Sequence, residues 1–443
     1  MSAGRWAVCF LCGQFLILSA NSQSFLQVKG KNLTLNGEKV FLSGMNQAWV
    51  HYGSDFGNGN YEKSKVALYQ TIDHIHNSGG NSMRVWLHVG GSSTPMFNSS
   101  GFVTGLDKYI LSDLRDFLLR AQSRNVLINF SLWNCLSGNL MKGLYTDEMK
   151  LQSYIDNALR PMVRALRDLR ALGSWEIINE PEGCIAKGVY NKDHCFDTRL
   201  DPLPWEGGSW EAKYPRYDLS RFISRQASAI HQEDPKALVT VGIWTWFTIL
   251  EKWPRTNFYS DACLNKAGGV TDGHLDFYQI HTYDILGFFS EHAPFKVNAS
   301  YYLLDKPLVI GEFSQKKGGG FSSKQLFTHA YEHGYSGAWS WCALDEDGAS
   351  DNLTVQMLGM SALKGRNNQS LGGRIDIIIN DTLSRSSNIF CTFAQNRLAI
   401  FYFLLLLLLV LFCIELLRIV SKCIKGVNSK PKLFPFDSKT LLL

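Results

Sequence analysis

Two glutamates stand where an apolar run stops. In Gly173-Ser174-Trp175-Glu176-Ile177-Ile178-Asn179-Glu180-Pro181-Glu182-Gly183, a stretch fit for a buried strand gives way to Asn, Glu, Pro and Gly, which leaves Glu180 at its carboxyl end. The run Lys306-Pro307-Leu308-Val309-Ile310-Gly311-Glu312-Phe313-Ser314 does the same with Glu312. A carboxylate carried by a strand into a turn is poised for proton transfer or nucleophilic attack. A lone one is more often a solvent-facing acid, so the weight rests on its company. Arg84, His88, Asn179, His281, Tyr283 and Trp341 each stand in or just past the end of an apolar run. Two carboxylates among Asn, His, Tyr, Arg and Trp are the equipment for glycoside cleavage. One gives a proton to the leaving oxygen, and the other attacks the anomeric carbon or activates water. That chemistry calls for no metal and no cofactor.

Converging residues need a scaffold. Eight apolar runs, at 40–49, 82–89, 126–133, 175–180, 238–244, 277–282, 308–313 and 338–343, predict buried strands, and several of the segments between them have helical periodicity. Examples are Ile110, Leu114, Phe117, Leu118 and Ala121, then Ile155, Leu159, Met162, Val163 and Leu166, with a kink expected at Pro161. Such alternation predicts an α/β fold, a (β/α)8 TIM barrel with its site at the carboxyl ends of the strands. A doubly wound sheet would announce a Gly-rich phosphate loop after its first strand, and Gly44-Met45-Asn46-Gln47 does not match one. Alternation around Lys29-Gly30-Lys31 and Asn36-Gly37 adds a short N-terminal β-hairpin. The long segment 183–216, with Trp205 and Trp210, reads as a lid or cleft wall. Trp133, Trp205, Trp210, Trp244 and Trp246 are candidate sugar platforms, Trp339 a core residue, and Glu176 a buried structural acid near the barrel floor.

At 443 residues, 45% apolar, the chain can bury a large core, and its 12 Trp suit weakly polar sugar faces. A net charge of +5 with interspersed signs offers no field for nucleic acid. The domain expectation is a signal peptide at 1–22, the barrel at 23–366, an extracellular stalk at 367–397, a transmembrane helix at 398–420 and a cytoplasmic tail at 421–443. The span rests on 17 consecutive apolar or aromatic residues, 398–414, followed by Arg418, Lys422, Lys425, Lys430 and Lys432. Those features predict a single-pass type I membrane protein of the secretory pathway, held to the membrane by one C-terminal helix with its barrel outside. Cys135, Cys184, Cys195, Cys263, Cys342 and Cys391 suggest disulfides, with Cys184 to Cys195 the expected pair. Sequons start at Asn32, Asn98, Asn129, Asn298, Asn352, Asn368 and Asn380; Asn129 falls in an expected buried strand and is expected to be unused.

Asn179-Glu180-Pro181, the pair His281 and Tyr283, Gly311-Glu312-Phe313, Arg84 and Trp341 together resemble glycoside hydrolase family 5, over roughly residues 25–366. Trp86-Leu87-His88 and Ser340-Trp341 are most similar to animal endo-β-1,4-mannanases. The resemblance implies a retaining double displacement on β-mannan, with Glu180 as acid/base and Glu312 as nucleophile. It further implies that Asn179 binds the sugar 2-hydroxyl, that Tyr283 and Arg84 hold Glu312, that His281 positions Glu180, and that Trp341 is the floor under the sugar. Trp133, Trp205 and Trp244 complete the expected substrate-binding set. Many family members carry a His at the end of the third strand where Leu132-Trp133-Asn134 stands here, and His88 is the expected substitute. A β-glucanase on the same barrel and a non-catalytic carbohydrate-binding surface protein are the alternatives. A monomer is expected.

Overall fold

In the computed structural model eight parallel strands close into a barrel: β1 Leu42–Asn46, β2 Ser82–Val89, β3 Leu127–Asn134, β4 Leu172–Asn179, β5 Val239–Ile243, β6 Tyr278–His281, β7 Leu308–Phe313 and β8 Gly337–Ser340. The structure describes residues 25–136, 138–199, 214–250, 256–343, 348–379 and 414–419. Each of the eight apolar runs overlaps one strand. β8 pairs back onto β1, Gly337 opposite Leu42, and that closure removes the sheet edges.

Helices follow the strands and press apolar faces onto them. Helix Ile110–Ser123 buries Ile110, Leu114, Phe117, Leu118 and Ala121, the face its periodicity predicts. After helix Asn139–Thr146 a helical stretch runs Glu148–Tyr154, Ile155–Leu159 and Arg160–Leu166, and its middle piece is a π-helix. Pro161 lacks an N–H and its ring crowds the preceding turn, so the wider turn takes the place of the expected kink. After β6 only a 3-10 turn, Ala299–Tyr302, stands in the helix position.

At the amino end the expected hairpin is a three-stranded antiparallel ribbon, Gln27–Lys29, Asn32–Leu35 and Glu38–Lys39. Asn36 and Gly37 both have positive φ, +55° and +81°, the turn that an Asn-Gly pair favours. The start of the expected stalk is corrected. Residues 367–379 form short strands Asn367–Asn368 and Gly373–Arg374, then bury Ile375, Ile377 and Ile379. Asn81 Nδ2 donates to both Phe41 O and Ile375 O at 2.8 Å, so this strap closes the base of the barrel. Three isoleucines at every second position are a strand pattern, and their burial separates them from the polar residues around them.

The membrane expectation is corrected as well. Among the described residues no helix is long and apolar enough to cross a membrane. Most of 398–420 lies outside the described residues; 414–419 is helical. With no such helix among the described residues, the transmembrane helix and the single-pass type I placement are not supported. The expected signal peptide and tail lie outside the described residues.

The disulfides also differ from expectation. Cys184 bonds Cys135 and Cys195 bonds Cys263, in place of Cys184 with Cys195. Cys184 ends the turn after β4 while Cys135 ends β3, so neighbours in the barrel are joined rather than neighbours in sequence. Asn129 is 2% exposed, as its strand position predicts, and its Nδ2 donates to Glu176.

Candidate active site

Arg84 organises the carboxyl half of the barrel. It is fully buried on β2 and spends its donors on four neighbours. Nε and Nη2 hold Glu176 through Oε2 and Oε1 at 2.7 and 2.6 Å, a fork-to-fork pair. Nη1 reaches Glu312 Oε1 at 2.6 Å and Asn46 Oδ1 at 2.9 Å, while Nη2 also reaches Asn179 Oδ1 at 2.7 Å. Glu176 is further held by Asn129, Ser131 and Gln279, each at 2.8 Å. Burial raises its pKa, but the Arg84 guanidinium outweighs burial and the net effect is below the ordinary carboxylate value. Glu176 is thus an ionised counterion beneath the site. Gly242 on β5 makes room for it, since a Cβ there would lie 2.7 Å from Glu176 Oε1 and 3.0 Å from Arg84 Nη2.

Above this layer sit Glu180 and Glu312, on β4 and β7. Pro181 and the 3-10 turn Pro181–Cys184 end β4, and Glu180 itself takes the left-handed conformation, φ +45° and ψ +54°. A residue with a Cβ adopts it at a cost and does so most often at functional sites. His281 Nδ1 joins the two acids, 2.8 Å from Glu180 Oε1 and 3.4 Å from Glu312 Oε2. Tyr283 Oη donates to Glu312 Oε2 at 2.9 Å. One carboxylate oxygen of each glutamate lies within 4.8 Å of the other.

The electrostatics divide the pair. Burial pushes the Glu180 carboxyl up to about 7; Arg84 opposes this and the Glu176 charge adds to it. Burial also raises Glu312 and the net shift is upward, opposed by His281, Arg84 and Tyr283, which favour its ionised form. His281 is pushed down to about 4, first by burial, and at neutral pH contributes a hydrogen bond rather than a charge. The result is one carboxyl able to hold a proton near neutrality beside one whose neighbours favour its anion. Glu180, His281 and Glu312 also have the donor types of a cation site.

Arg84, Asn179, Glu180, His281, Tyr283 and Glu312 therefore lie in one hydrogen-bonded group. Trp341 flanks it, with its ring 6.0 Å from Trp49 and 6.2 Å from Trp86. Trp244 lies in the wall of a cleft of about 710 Å³ that His281 and Tyr283 also line. Two expected substrate residues are not brought there. Trp133 is 1% exposed and donates Nε1 to Gln226 on helix Arg216–Glu233. His88 is fully buried against Trp133 and Tyr154, with its pKa pushed to about 3 by burial. Trp205 and Trp210 lie outside the described residues.

Other residues join the site without having been singled out. Asn134 takes the end of β3, accepting from Asn179 Nδ2 at 3.2 Å and donating to Tyr52 Oη at 3.2 Å. It fills the place where His88 was the expected substitute. Trp49, Tyr52 and Trp86 form an aromatic bank with Trp341. The sequence signal was an aromatic cluster at the ends of the first two strands, visible only once those ends are known to converge.

No protein-family model matches the chain. A mannan endo-1,4-β-mannosidase of Mytilus edulis is 46% identical over 356 residues, covering 79% of this chain and 95% of its own. One of Cryptopygus antarcticus is 43% identical over 379 residues, covering 84% and 98%. Among solved structures, an endo-1,4-β-mannanase of Eisenia fetida has a TM-score of 0.78 at 46% identity, covering 81% of this chain and all of that one.

Proposed function

From the premise that the chain belongs to the animal endo-1,4-β-mannanases of glycoside hydrolase family 5, we propose that it hydrolyses β-1,4-mannosidic bonds in mannan with retention of configuration. The observation that carries this is the close approach of Glu180 and Glu312, with oxygens within 4.8 Å. Retaining enzymes keep their carboxyl groups about 5 to 5.5 Å apart, and inverting ones leave about 6.5 to 9.5 Å for a water.

In the first step a carboxylate oxygen of Glu312 attacks the anomeric carbon while Glu180 gives its proton to the departing glycosidic oxygen. Arg84 and Tyr283 fix the nucleophile's two oxygens, so that it enters the reaction oriented and charged. In the second step Glu180, now a base, takes a proton from water, and the water displaces Glu312 from the sugar. Asn179 is oriented by Arg84 and Asn134 to meet the 2-hydroxyl. Trp341 forms the floor beneath the sugar, and Trp244 belongs to the cleft wall. A protein that only bound carbohydrate would have no use for an acid and nucleophile held this way. The two disulfides support folding in an oxidising compartment.

Following a mannan oligosaccharide digest by NMR tests the proposal. The β anomer should appear first; initial release of the α anomer would refute double displacement. Reducing ends should be released from mannan well above cellulose or laminarin, and the reverse order would favour a β-glucanase.

A further inference from the structure

Two residues beyond Glu180, Glu182 is 3% exposed and takes no part in the reaction above. Its carboxylate accepts three hydrogen bonds from the segment after β5. Tyr259 Oη and Thr248 Oγ1 donate to Oε1 at 2.6 and 2.9 Å, and the Trp244 backbone N–H donates to Oε2 at 3.1 Å. Two hydroxyls and a backbone N–H make a socket for the carboxyl group, which burial pushes up to about 7.

Between this socket and the reaction lies the strained residue itself. A left-handed Glu180 persists only where its surroundings over-determine it. Glu180 N donates to Gly242 O at 2.7 Å, Gly183 N returns to Glu180 O at 3.1 Å, and Tyr214 N donates to Cys184 O at 2.7 Å. Cys184 is bonded to Cys135. Glu182 adds a hydrogen-bonded side chain to these tethers and joins the turn after β4 to the segment after β5.

We propose that Glu182 is a positioning residue for general acid catalysis. By clamping the turn Pro181–Cys184 to the segment after β5, it holds Glu180 in the backbone conformation from which its carboxyl reaches the leaving oxygen. The inference rests on Glu180 being the acid/base of the proposed function.

Leaving-group dependence tests it on the full chain. Glu182→Gln puts an NH2 in place of one of the two oxygens that accept in this socket. It should lower kcat/KM on mannan, whose leaving sugar needs a proton, by roughly 10- to 100-fold. On a 2,4-dinitrophenyl β-mannobioside, whose phenolate departs unaided, the loss in the first step should stay within about threefold. A merely structural role lowers both alike. Tyr259→Phe and Thr248→Val each remove one donor and should show the same selective loss at smaller amplitude, which keeps the test open if Glu182→Gln fails to fold. Equal losses on the two substrates, or a loss confined to KM for mannan, would overturn the proposal. Failure of the unmodified protein to hydrolyse mannan would overturn the functional reading instead.

Discussion

Replacing Glu180 by Gln should make the protein more stable, and only at high pH. The Glu180 carboxyl has an ordinary value of 4.5, and burial in the fold raises it to about 7. Between those values the unfolded chain has released a proton that the folded chain keeps, so stability falls as pH rises through this window. At about 1.36 kcal/mol per pKa unit the loss is about 3 kcal/mol above pH 7. Glutamine imitates the protonated acid and never incurs it, and relief of Glu312 from a like charge acts in the same direction. The unit that unfolds ends at Ile379. At about 2.1 cal/mol/K per residue its unfolding entropy is about 0.8 kcal/mol/K, which converts the gain to about 4 °C in Tm. Calorimetry at pH 5 and pH 8 reads the effect directly: near-equal Tm values at pH 5, and the Gln variant higher at pH 8. A Gln variant no more stable at pH 8, or equally shifted at both pH values, would refute the assignment of the raised pKa to this carboxyl.

The same groups fix the pH dependence of activity. kcat/KM should fall above about pH 7, as Glu180 loses the proton it must donate, and fall on the acid side at a pH above the ordinary 4.5 as Glu312 gains one, a bell measurable on soluble mannan. Gly242→Ala should destabilise the barrel by about 1 to 3 kcal/mol and lower kcat, because its Cβ would intrude between Glu176 and Arg84; thermal unfolding and turnover on mannan check both. Glycopeptide mapping of protein made in a eukaryotic secretory host should find Asn129 unmodified, since a glycan there would have to displace the bond to Glu176; an occupied Asn129 in folded protein would contradict the placement of β3.

Much of the site was legible because strand ends carry chemistry in a readable form. Glu180 and Glu312 are set off by apolar residues before them and turn residues after. His88 and Trp133 misled for one physical reason. Standing at a strand end does not say which face a side chain takes, and here the β2–β3 ladder slips near its carboxyl end. The β2–β3 register shifts between Trp86 and Val89, and Val89 has φ +56°. Ser131 bonds Glu176 while Asn134 bonds Asn179, so successive inward residues on β3 and β4 stand three apart instead of two. Aromatic type could not separate Trp133 from Trp244 for the same reason: one packs behind its strand and the other in front. The apolar run 398–414 misled differently: hydropathy reports composition, and no helix among the described residues is long and apolar enough to cross a membrane.

The strap beneath the barrel has a consequence for how the chain is made. Lys39 N donates to Gln369 Oε1, Asn81 Nδ2 to Ile375 O, and β1 pairs with β8, joining residues some 300 positions apart. A ribosome delivers the chain from its amino end, so the ribbon and β1 must wait, unpaired on one side, until the last strand and the strap have emerged. Topologies dominated by such distant pairings fold slowly and expose strand edges meanwhile. The stretch of sequence that looked like a spacer is then the segment whose arrival ends the nascent chain's most vulnerable interval.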